Sequence, residues 1–342
     1  GTDVVAFNRT LAGYASGAAE GTSSFVVGSV GPTGVFLRPL GPMGFKELIE
    51  IFREQIRGLV QGGVNLILAE TQFDLAEARA VVIAARQECD LPVGVSMTFE
   101  DGVSLTGTSP EVFCETMLNM GVDFLGTNCS AGPEQMLDIA VRLGNISTVP
   151  VIAQPNAGLP ELENGRTVFR LGAEAFAGHM TEFARRGIAL MGGCCGTTPD
   201  HVAAVKSAVR DIPIQEPLKE SSSGIVLTSR SMAVHIGSER PVRILGERIN
   251  PTGKKKLTAE LQAGQFGLAL SFAEEQIAAG ARVLDVNVGA PLVDETLLLP
   301  ALVERLVAAH PTTLCLDSAN ADALAEALDA YPASALVNSI NG

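Results

Sequence analysis

Three of the six cysteines lie in glycine-rich segments whose spacing could hold a metal ion. Cys194 and Cys195 are adjacent within Gly192-Gly-Cys-Cys-Gly-Thr-Thr-Pro199, and Cys129 lies within Gly126-Thr-Asn-Cys-Ser130. A disulfide between direct neighbours is strained, so we interpret the pair as reduced thiols. Three thiolates bind Zn²⁺ and leave its fourth position for a substrate thiol, which loses its proton there and becomes nucleophilic. The sequence therefore predicts a catalytic zinc site at these three cysteines.

Two other interpretations of these cysteines stay open at this point. Free cysteine is commonly buried, so the thiols could be small packing residues in glycine-rich turns. The adjacent pair could also belong to a redox or zinc-storage protein without catalytic activity. The remaining cysteines have no comparable context, because Cys89 ends a predicted helix, Cys114 lies within one and Cys315 lies inside a predicted strand. We interpret these three as packing residues.

The elements that would position the thiols alternate regularly along residues 1–210. Seven short apolar, β-branched runs predict strands buried on both faces, because their apolar residues are continuous. Most runs are followed by a segment with helical periodicity, at 45–60, 75–88, 110–120, 133–143 and 199–210. The predicted strands are 4–7, 25–29, 66–70, 93–97, 124–127, 151–154 and 188–191.

This alternation predicts parallel strands joined by right-handed crossovers, as in a (β/α)8 barrel or a doubly wound sheet. The barrel is favoured because polar residues crowd the carboxyl ends of the predicted strands, and a barrel brings those ends to one site. These residues are Glu70, Thr98, Asn128, Cys129, Asn156, Cys194 and Cys195. Seven strands are one short of closure, so we expect a TIM barrel without its first strand.

A second module follows a break in this alternation. Residues 212–241 begin with a Pro- and Ser-rich stretch and are interpreted as a linker between a module at 1–211 and another at 242–342. Strands are predicted at 242–247, 283–286, 313–317 and 336–338, and helices at 257–279, 297–309 and 321–328. Polar residues again lie at the strand ends, namely Glu247, Asn250, Asp285, Asn287, Asp317 and Asn338.

The composition limits the classes of function. Lys and Arg number 24 against 38 Asp and Glu, a net charge of −14, so the average surface repels nucleic acid. No apolar run reaches the ~18 residues of a membrane-spanning helix. Six cysteines in 342 residues do not form a disulfide scaffold, which predicts a reducing, cytoplasmic compartment.

The cysteine motifs resemble those of the homocysteine S-methyltransferase family. Similar segments are Val27-Gly-Ser-Val-Gly-Pro-Thr-Gly34, Ile67-Leu-Ala-Glu-Thr71 and Val95-Ser-Met-Thr-Phe99. The second module resembles the folate-binding barrel of the cobalamin-dependent methionine synthase family. The segments that carry this second resemblance are Gly246-Glu-Arg-Ile-Asn-Pro-Thr-Gly253, Leu284-Asp-Val-Asn-Val-Gly289, Leu316-Asp-Ser318 and Val337-Asn-Ser339.

The first resemblance implies roles for residues of the first module. Cys129, Cys194 and Cys195 would be the zinc ligands that activate homocysteine. Glu70 would bind the substrate ammonium, although a helix-start residue stabilised by the helix dipole is the alternative. Asn128 and Asn156 are candidates for orienting the substrate carboxylate, and turn capping explains each about as well.

The second resemblance implies a pterin site at the strand ends of the second module. Asp317 and Asn338 fall on two positions that hydrogen-bond the pterin ring, whose 2-amino and N3–H groups match a carboxylate. Glu247, Asn250, Asp285 and Asn287 would line the same mouth, and helix capping is the alternative for such residues. The lysines at 254–256 could meet the anionic folate tail, but a solvated charge run explains them better.

Together the resemblances imply a (β/α)8 zinc barrel followed by a truncated (β/α)8 pterin barrel. The implied reaction moves a methyl group from 5-methyltetrahydrofolate through cobalamin to zinc-bound homocysteine, with methylcobalamin bound by a module that is not in this chain. The alternative is a zinc-dependent thiol methyltransferase that uses betaine, S-methylmethionine or a methyl-corrinoid protein as donor. Seven and four strands leave both barrels open, so we also expect the chain to be a piece of a longer polypeptide.

Overall fold

The computed structural model describes residues 3–217 and 224–339 of the 342-residue chain. Strands and helices alternate along these residues, and the chain divides into two compact units. The first unit comprises Gly1–Gly34 and Glu47–Ser221, and the second comprises Val35–Lys46 and Ser222–Gly342. Each unit is built on its own parallel sheet, as the predicted α/β class requires.

The first unit is organised around a six-stranded parallel sheet. Its described strands are β1 (Val27–Val30), β2 (Leu66–Gln72), β3 (Val93–Met97), β4 (Phe124–Asn128), β5 (Val151–Gln154), β6 (Glu161–Glu163), β7 (Arg166–Val168) and β8 (Leu190–Met191). The sheet order is β1-β2-β3-β4-β5-β8, while β6 and β7 form a separate antiparallel hairpin. Every residue of β3 and β4 is buried, which explains their uninterrupted runs of apolar and small side chains.

Helices follow most strands of this sheet. They are α1 (Val4–Ala19), α2 (Phe45–Gln61), α3 (Leu75–Glu88), α4 (Pro110–Asn119), α5 (Pro133–Gly144), α6 (Ala173–Arg185) and α7 (Pro199–Ala208). The strand order runs in one direction, as in a (β/α)8 barrel, and does not reverse as a doubly wound sheet does. This order confirms the predicted barrel-type architecture. Among the described helices, none is both long and apolar enough to cross a membrane.

The predicted strand at residues 4–7 is wrong, because these residues form the first turns of α1. The Asp3 side chain caps this helix by accepting a hydrogen bond from the Ala6 backbone N–H at 2.9 Å. The helix packs closely on α2, where a Cβ atom added at Gly62 would lie 2.4 Å from Ala12 Cβ. The first unit therefore has six strands in its described sheet, where the sequence predicts seven.

The second unit contains a four-stranded parallel sheet and a separate antiparallel hairpin. Its described strands are β9 (Ile225–Thr228), β10 (Ala233–Ile236), β11 (Leu245–Ile249), β12 (Val283–Asn287), β13 (Thr313–Asp317) and β14 (Leu336–Asn338). The parallel sheet has the order β11-β12-β13-β14, and β9 pairs with β10. The helices are α8 (Lys255–Gln262), α9 (Gly267–Ala278), α10 (Glu295–Ala309) and α11 (Ala321–Ala330).

Three elements differ from the sequence prediction. The hairpin β9–β10 lies within the segment 212–241 that we interpreted as a linker. The single helix predicted at 257–279 is divided into α8 and α9, because Gly264 adopts a left-handed φ of 67° that ends α8. The hairpin β6–β7 and helix α6 lie between β5 and β8, where the sequence analysis identifies no element.

Candidate metal centre and polar strand ends

The three cysteines of the glycine-rich motifs meet at the carboxyl edge of the first sheet. Cys129 directly follows β4, and Cys194 and Cys195 follow β8. The three Sγ atoms all lie within 4.8 Å of one another. Sixty-six residues separate Cys129 from Cys195, so the parallel order of β4, β5 and β8 creates this cluster.

The spacing of the sulfur atoms fits a tetrahedral zinc ion. Cys129 Sγ lies 3.8 Å from Cys195 Sγ, and Cys194 Sγ lies 4.0 Å from Cys195 Sγ. A Zn–S distance of ~2.3 Å in tetrahedral geometry places sulfur ligands ~3.8 Å apart. The residues present therefore fit the metal that the resemblance implies, and three thiolates leave one coordination position for a further ligand.

The loop after β5 holds the cysteine pair in place through the backbone. Pro155 O accepts a hydrogen bond from Cys194 N at 2.9 Å, and Asn156 Oδ1 accepts one from Cys195 N at 3.0 Å. Ala157 N donates to Cys195 O at 2.9 Å. These three bonds orient the pair through its backbone, without any contribution from the thiols.

Unusual backbone conformations shape both cysteine segments. Cys129 and Ser130 have left-handed φ values of 60° and 59°, which turn the chain sharply at the end of β4. A Cβ atom at Gly193 would lie 2.3 Å from the Thr197 side chain, whose hydroxyl donates to Cys194 O at 2.7 Å. Glycine at this position thus permits the tight turn that aims two neighbouring thiols at one point.

The surroundings of Cys194 and Cys195 favour the protonated form of both thiols. Burial is the main cause that raises the pKa of Cys194 to about 12, and the neighbouring Cys129 and Cys195 raise it further. Burial, with the nearby Cys129 thiol, also raises the pKa of Cys195. Three thiolates packed this closely repel one another, so a divalent cation is the partner that makes their ionisation favourable.

Two further candidate residues of the first unit, Asn128 and Asn156, lie beside the cysteine pair. A third, Glu70, lies on β2, which β3 separates from β4. Glu70 is half-buried and accepts a hydrogen bond from the Ser29 hydroxyl. Asn128 and Asn156 are buried, and Asn128 Nδ2 lies 3.8 Å from Cys194 Sγ. The substrate contacts predicted for Glu70, Asn128 and Asn156 stay predictions.

The second unit brings most of its polar strand-end residues into adjacent register. Asn287 pairs with Asp317 across β12 and β13, and Asp317 pairs with Asn338 across β13 and β14. Asn287 Nδ2 donates to Asp317 Oδ2 at 2.9 Å. Asp285 lies two residues before Asn287 on β12, opposite Cys315 of β13. These residues form a polar strip along the carboxyl edge of the sheet.

Asp285 is the deeply buried member of this strip. Its side chain is 3% exposed, and within the described part of the chain its Oδ1 atom has no hydrogen-bond partner. Burial is the main cause that raises its pKa, and the neighbouring carboxylates of Asp317 and Glu247 raise it further, whereas hydrogen bonds from Cys315 and Asn338 lower it. A buried acceptor without a donor fits a ligand that presents N–H groups, such as the implied pterin ring.

The remaining predicted pterin residues have local roles in the structure. Asn250 Oδ1 accepts a hydrogen bond from Thr252 N at 3.0 Å and so forms an Asx turn after β11. Lys254 Nζ donates to Asn250 O at 3.0 Å. Glu247 is exposed on β11. Contacts of these residues with a pterin stay predictions.

The structure adds residues that the sequence analysis does not single out. Thr71 has a left-handed φ of 61° and contacts Asn128 through both its backbone N–H and its hydroxyl. Ser96 donates a hydrogen bond to the same asparagine at 2.6 Å. A polar residue within the continuous apolar run of β3 is the sequence signal that could have identified Ser96.

Comparison with known proteins gives a family for each of the two parts of the chain. The sequence profile of the homocysteine S-methyltransferase family matches residues 1–209, and that of pterin-binding enzymes matches residues 246–342. A methionine synthase of Mycobacterium tuberculosis is 32% identical over 327 residues, which cover 93% of this chain and 27% of that protein. A methionine synthase of Mycobacterium leprae is 31% identical over 330 residues, with the same coverage. The chain thus spans about a quarter of the length of these relatives.

A solved structure also resembles part of the chain. The apo form of the homocysteine methyltransferase MmuM of Escherichia coli superposes with a TM-score of 0.48 at 22% identity, covering 60% of this chain and 75% of that one. The family profile that matches residues 1–209 covers more than half of the 342 residues and includes all three cysteines of the cluster. The chain belongs to the homocysteine S-methyltransferase family of methyltransferases, and a pterin-binding region follows in the same polypeptide.

Proposed function

We propose that the chain carries the homocysteine and folate modules of a methionine synthase. In this reaction homocysteine thiolate, activated by zinc, takes a methyl group that originates from 5-methyltetrahydrofolate and passes through cobalamin. Zinc, when bound, would stabilise the substrate sulfur as a thiolate, so that the thiol loses its proton at neutral pH. Cys129, Cys194 and Cys195 would hold the metal, and Glu70 would hold the substrate ammonium.

The observation that carries this proposal is the sulfur cluster. Three thiols within 4.8 Å of one another at a strand-end mouth suit a catalytic zinc site better than a closed structural one. A storage site would gain from a fourth protein thiol, whereas the three thiols here leave a position for substrate. The reduced state that the cluster needs is supplied in the cytoplasm, which we propose as the compartment.

The folate half of the proposal rests on Asp285, Asn287, Asp317 and Asn338. The buried, unpartnered Oδ1 atom of Asp285 would accept from the pterin amino and N3–H groups. Asp317 and Asn338 would extend this contact along the sheet edge. Cobalamin would be bound by a separate module, either in the same polypeptide or in a partner. It would react in turn at the zinc site of the first unit and at the folate site of the second.

Metal content and thiol binding test the zinc half of the proposal. We expect one zinc ion per chain and loss of most of it in Cys194→Ser, because two thiolates bind zinc far more weakly than three. Cys89→Ser is the matched control, since this thiol lies at the end of α3, donates to Ala85 O and is not part of the cluster. Full zinc content in Cys194→Ser, measured by elemental analysis, would contradict the assignment.

Homocysteine binding then separates catalysis from storage. Binding of homocysteine to the zinc-loaded protein should release about one proton per thiol, because coordination makes the thiolate the stable form at neutral pH. Calorimetry in buffers of different ionisation enthalpy measures this release. A zinc-loaded protein that binds no homocysteine would favour the storage alternative.

A further inference from the structure

The side chain of Asn128 lies between two parts of the candidate metal centre. It is the last residue of β4 and is 1% exposed. On one side it contacts Thr71, which follows Glu70 on β2, and on the other it contacts the thiol of Cys194. The strand β3 separates β2 from β4 in the sheet, so this side chain spans a neighbouring strand at the mouth.

The hydrogen bonds of Asn128 fix the orientation of its amide. The Thr71 backbone N–H donates to Oδ1 at 2.9 Å, and the Ser96 hydroxyl donates to the same atom at 2.6 Å. A backbone N–H can only donate, so the atom that faces the Thr71 backbone N–H must be the oxygen, and the NH₂ group must face the Thr71 hydroxyl and the Cys194 thiol. Nδ2 then donates to Thr71 Oγ1 at 2.8 Å and to Cys194 Sγ at 3.8 Å.

These contacts use the full hydrogen-bonding capacity of the amide. Two donors reach the oxygen and two acceptors face the nitrogen, which leaves no polar group for a substrate carboxylate. The contacts thus favour a role for Asn128 that acts through its neighbours. This role differs from the substrate contact that the sequence analysis considers.

Each neighbour of Asn128 matters to the proposed chemistry. Thr71 holds a left-handed φ of 61°, an uncommon conformation for a threonine, and Asn128 binds this residue through both backbone and side chain. This clamp fixes the end of β2 and with it the direction of Glu70. The N–H···S contact meanwhile fixes the Cys194 thiol and withdraws electron density from its sulfur.

We propose that Asn128 is a positioning residue that links the ammonium-binding end of β2 to the metal thiol Cys194. It sets zinc affinity through the sulfur contact and homocysteine alignment through Thr71 and Glu70. This inference rests on the proposed function for the identity of the metal and of the amine. Its geometry, however, involves only contacts within the chain.

Asn128→Ala tests the link to the metal in the full chain. The variant loses the NH₂ group that faces Cys194 and adds no charge beside the metal. We expect zinc affinity to fall about tenfold or more, as for other groups that orient a metal ligand. Competition with a chromophoric chelator measures the affinity. Asn128→Leu, an uncharged side chain of similar size that also lacks the donor, should show a similar loss of affinity and serves if the alanine variant does not fold.

Cobalt substitution supplies a signature that loss of stability alone would not produce. Loss of the N–H···S contact leaves more electron density on the sulfur, so the thiolate-to-Co²⁺ charge-transfer band should move to longer wavelength with its intensity retained. Cys114→Ala is the matched control, because it truncates a buried thiol in α4 that the cluster does not contain. This control should show the parent spectrum and zinc affinity even where its stability is lower.

Homocysteine binding tests the link to Glu70. Asn128→Ala should weaken homocysteine binding to the zinc-saturated protein in the parent background and much less in a Glu70→Gln background. Zinc affinity within twofold of the parent and an unmoved cobalt band in both Asn128 variants would overturn the inference. A parent protein that binds no zinc, or binds zinc but no homocysteine, would instead overturn the proposed function.

Discussion

Two carboxylates of the candidate sites have different surroundings, and their surroundings suit different ligands. Glu70 is half-buried near the end of β2 and accepts a hydrogen bond from the Ser29 hydroxyl, so its carboxyl group is partly open to a ligand from solvent. Asp285 is buried, and its Oδ1 atom has no partner within the described residues. An unpaired buried acceptor lowers the stability of the fold unless a ligand supplies a donor. A neutral ring with N–H groups is such a ligand.

Glu70→Gln should weaken homocysteine binding and leave zinc content unchanged. The change removes the negative charge that would pair with the substrate ammonium, and we expect a loss of ~1–3 kcal/mol in binding free energy. Calorimetry with the zinc-loaded protein measures this loss. Glu54→Gln, the same change on an exposed glutamate of α2, is the control and should bind as the parent does. Equal affinity in Glu70→Gln would return this residue to a structural role.

Asp285→Asn should stabilise the ligand-free second unit while it abolishes folate binding. Because burial raises the pKa of Asp285, the folded state disfavours the charged form. The resulting penalty is absent below the unfolded pKa of ~3.9, grows as pH rises and is complete above the folded pKa. We therefore expect a gain of ~1 kcal/mol in the free energy of unfolding at pH 7.5.

Urea denaturation at pH 7.5 and at pH 4 measures this effect of Asp285→Asn. The gain should be smaller at pH 4, close to the unfolded pKa, because the penalty on the charged form only begins to appear there. A gain that is the same at both pH values, or a loss at pH 7.5, would show that the buried charge is not the cause.

At the scale of elements, the hairpin β9–β10 is a structural part of the second unit. Leu227 and Val234 of the hairpin form one buried cluster with Val283 of β12 and Cys315 of β13. Tyr331 Oη donates to Thr228 O at 2.7 Å, which joins the hairpin to the end of α11. The hairpin thus covers apolar side chains of β12 and β13 that would otherwise contact water.

Truncation of Leu227 should destabilise this unit strongly. Leu227 is 4% exposed, so Leu227→Ala should lower the free energy of unfolding by ~2–4 kcal/mol through lost burial and a cavity. Ile225 of the same strand is 50% exposed, and Ile225→Ala should cost ~0.5 kcal/mol or less. Chemical denaturation compares the two variants, and similar losses would mean that the hairpin does not pack as described.

The sequence predicts an element well where a local pattern determines its structure. It predicts poorly where contacts with residues distant in the sequence determine it. Continuous apolar runs identify β3, β4 and β13, because strands buried on both faces need no information about neighbours. The apolar run at 4–7 is too short to distinguish a strand from a buried helix. In the structure the Asp3 side chain caps these residues as the start of α1. The cysteine cluster is predictable because strand ends of a parallel sheet converge. The Thr71–Asn128 contact is not, because it depends on register across three strands.

At the scale of the whole molecule, two compact units each carry one candidate site. The sulfur cluster belongs to the first unit and the Asp285 strip to the second, and each unit has its own sheet. Ligands that bind one folded unit stabilise that unit by mass action and leave the other unit unaffected unless the two are coupled.

Removal of zinc should therefore lower only one of two thermal transitions. We expect calorimetry to show a transition that moves down with a chelator and up with zinc and homocysteine, and a second that responds only to the folate substrate. A ligand at a hundred times its dissociation constant contributes ~2.7 kcal/mol, enough to move a transition by several degrees. A single transition that responds equally to both ligands would contradict independent units.

The backbone bonds that hold the cysteine pair have a consequence for how the metal enters. Bringing Cys129 and Cys195 together closes a long loop, and loop closure has an entropic cost. If the ion had to gather the thiols from an unfolded chain, this cost would reduce the binding free energy of the metal. Here Pro155, Asn156 and Ala157 already bind the backbone of the pair, so folding bears that cost before any ion arrives. Under the proposed function, zinc would therefore bind at a site that folding has already assembled, and the ion could exchange while the sheet stays intact.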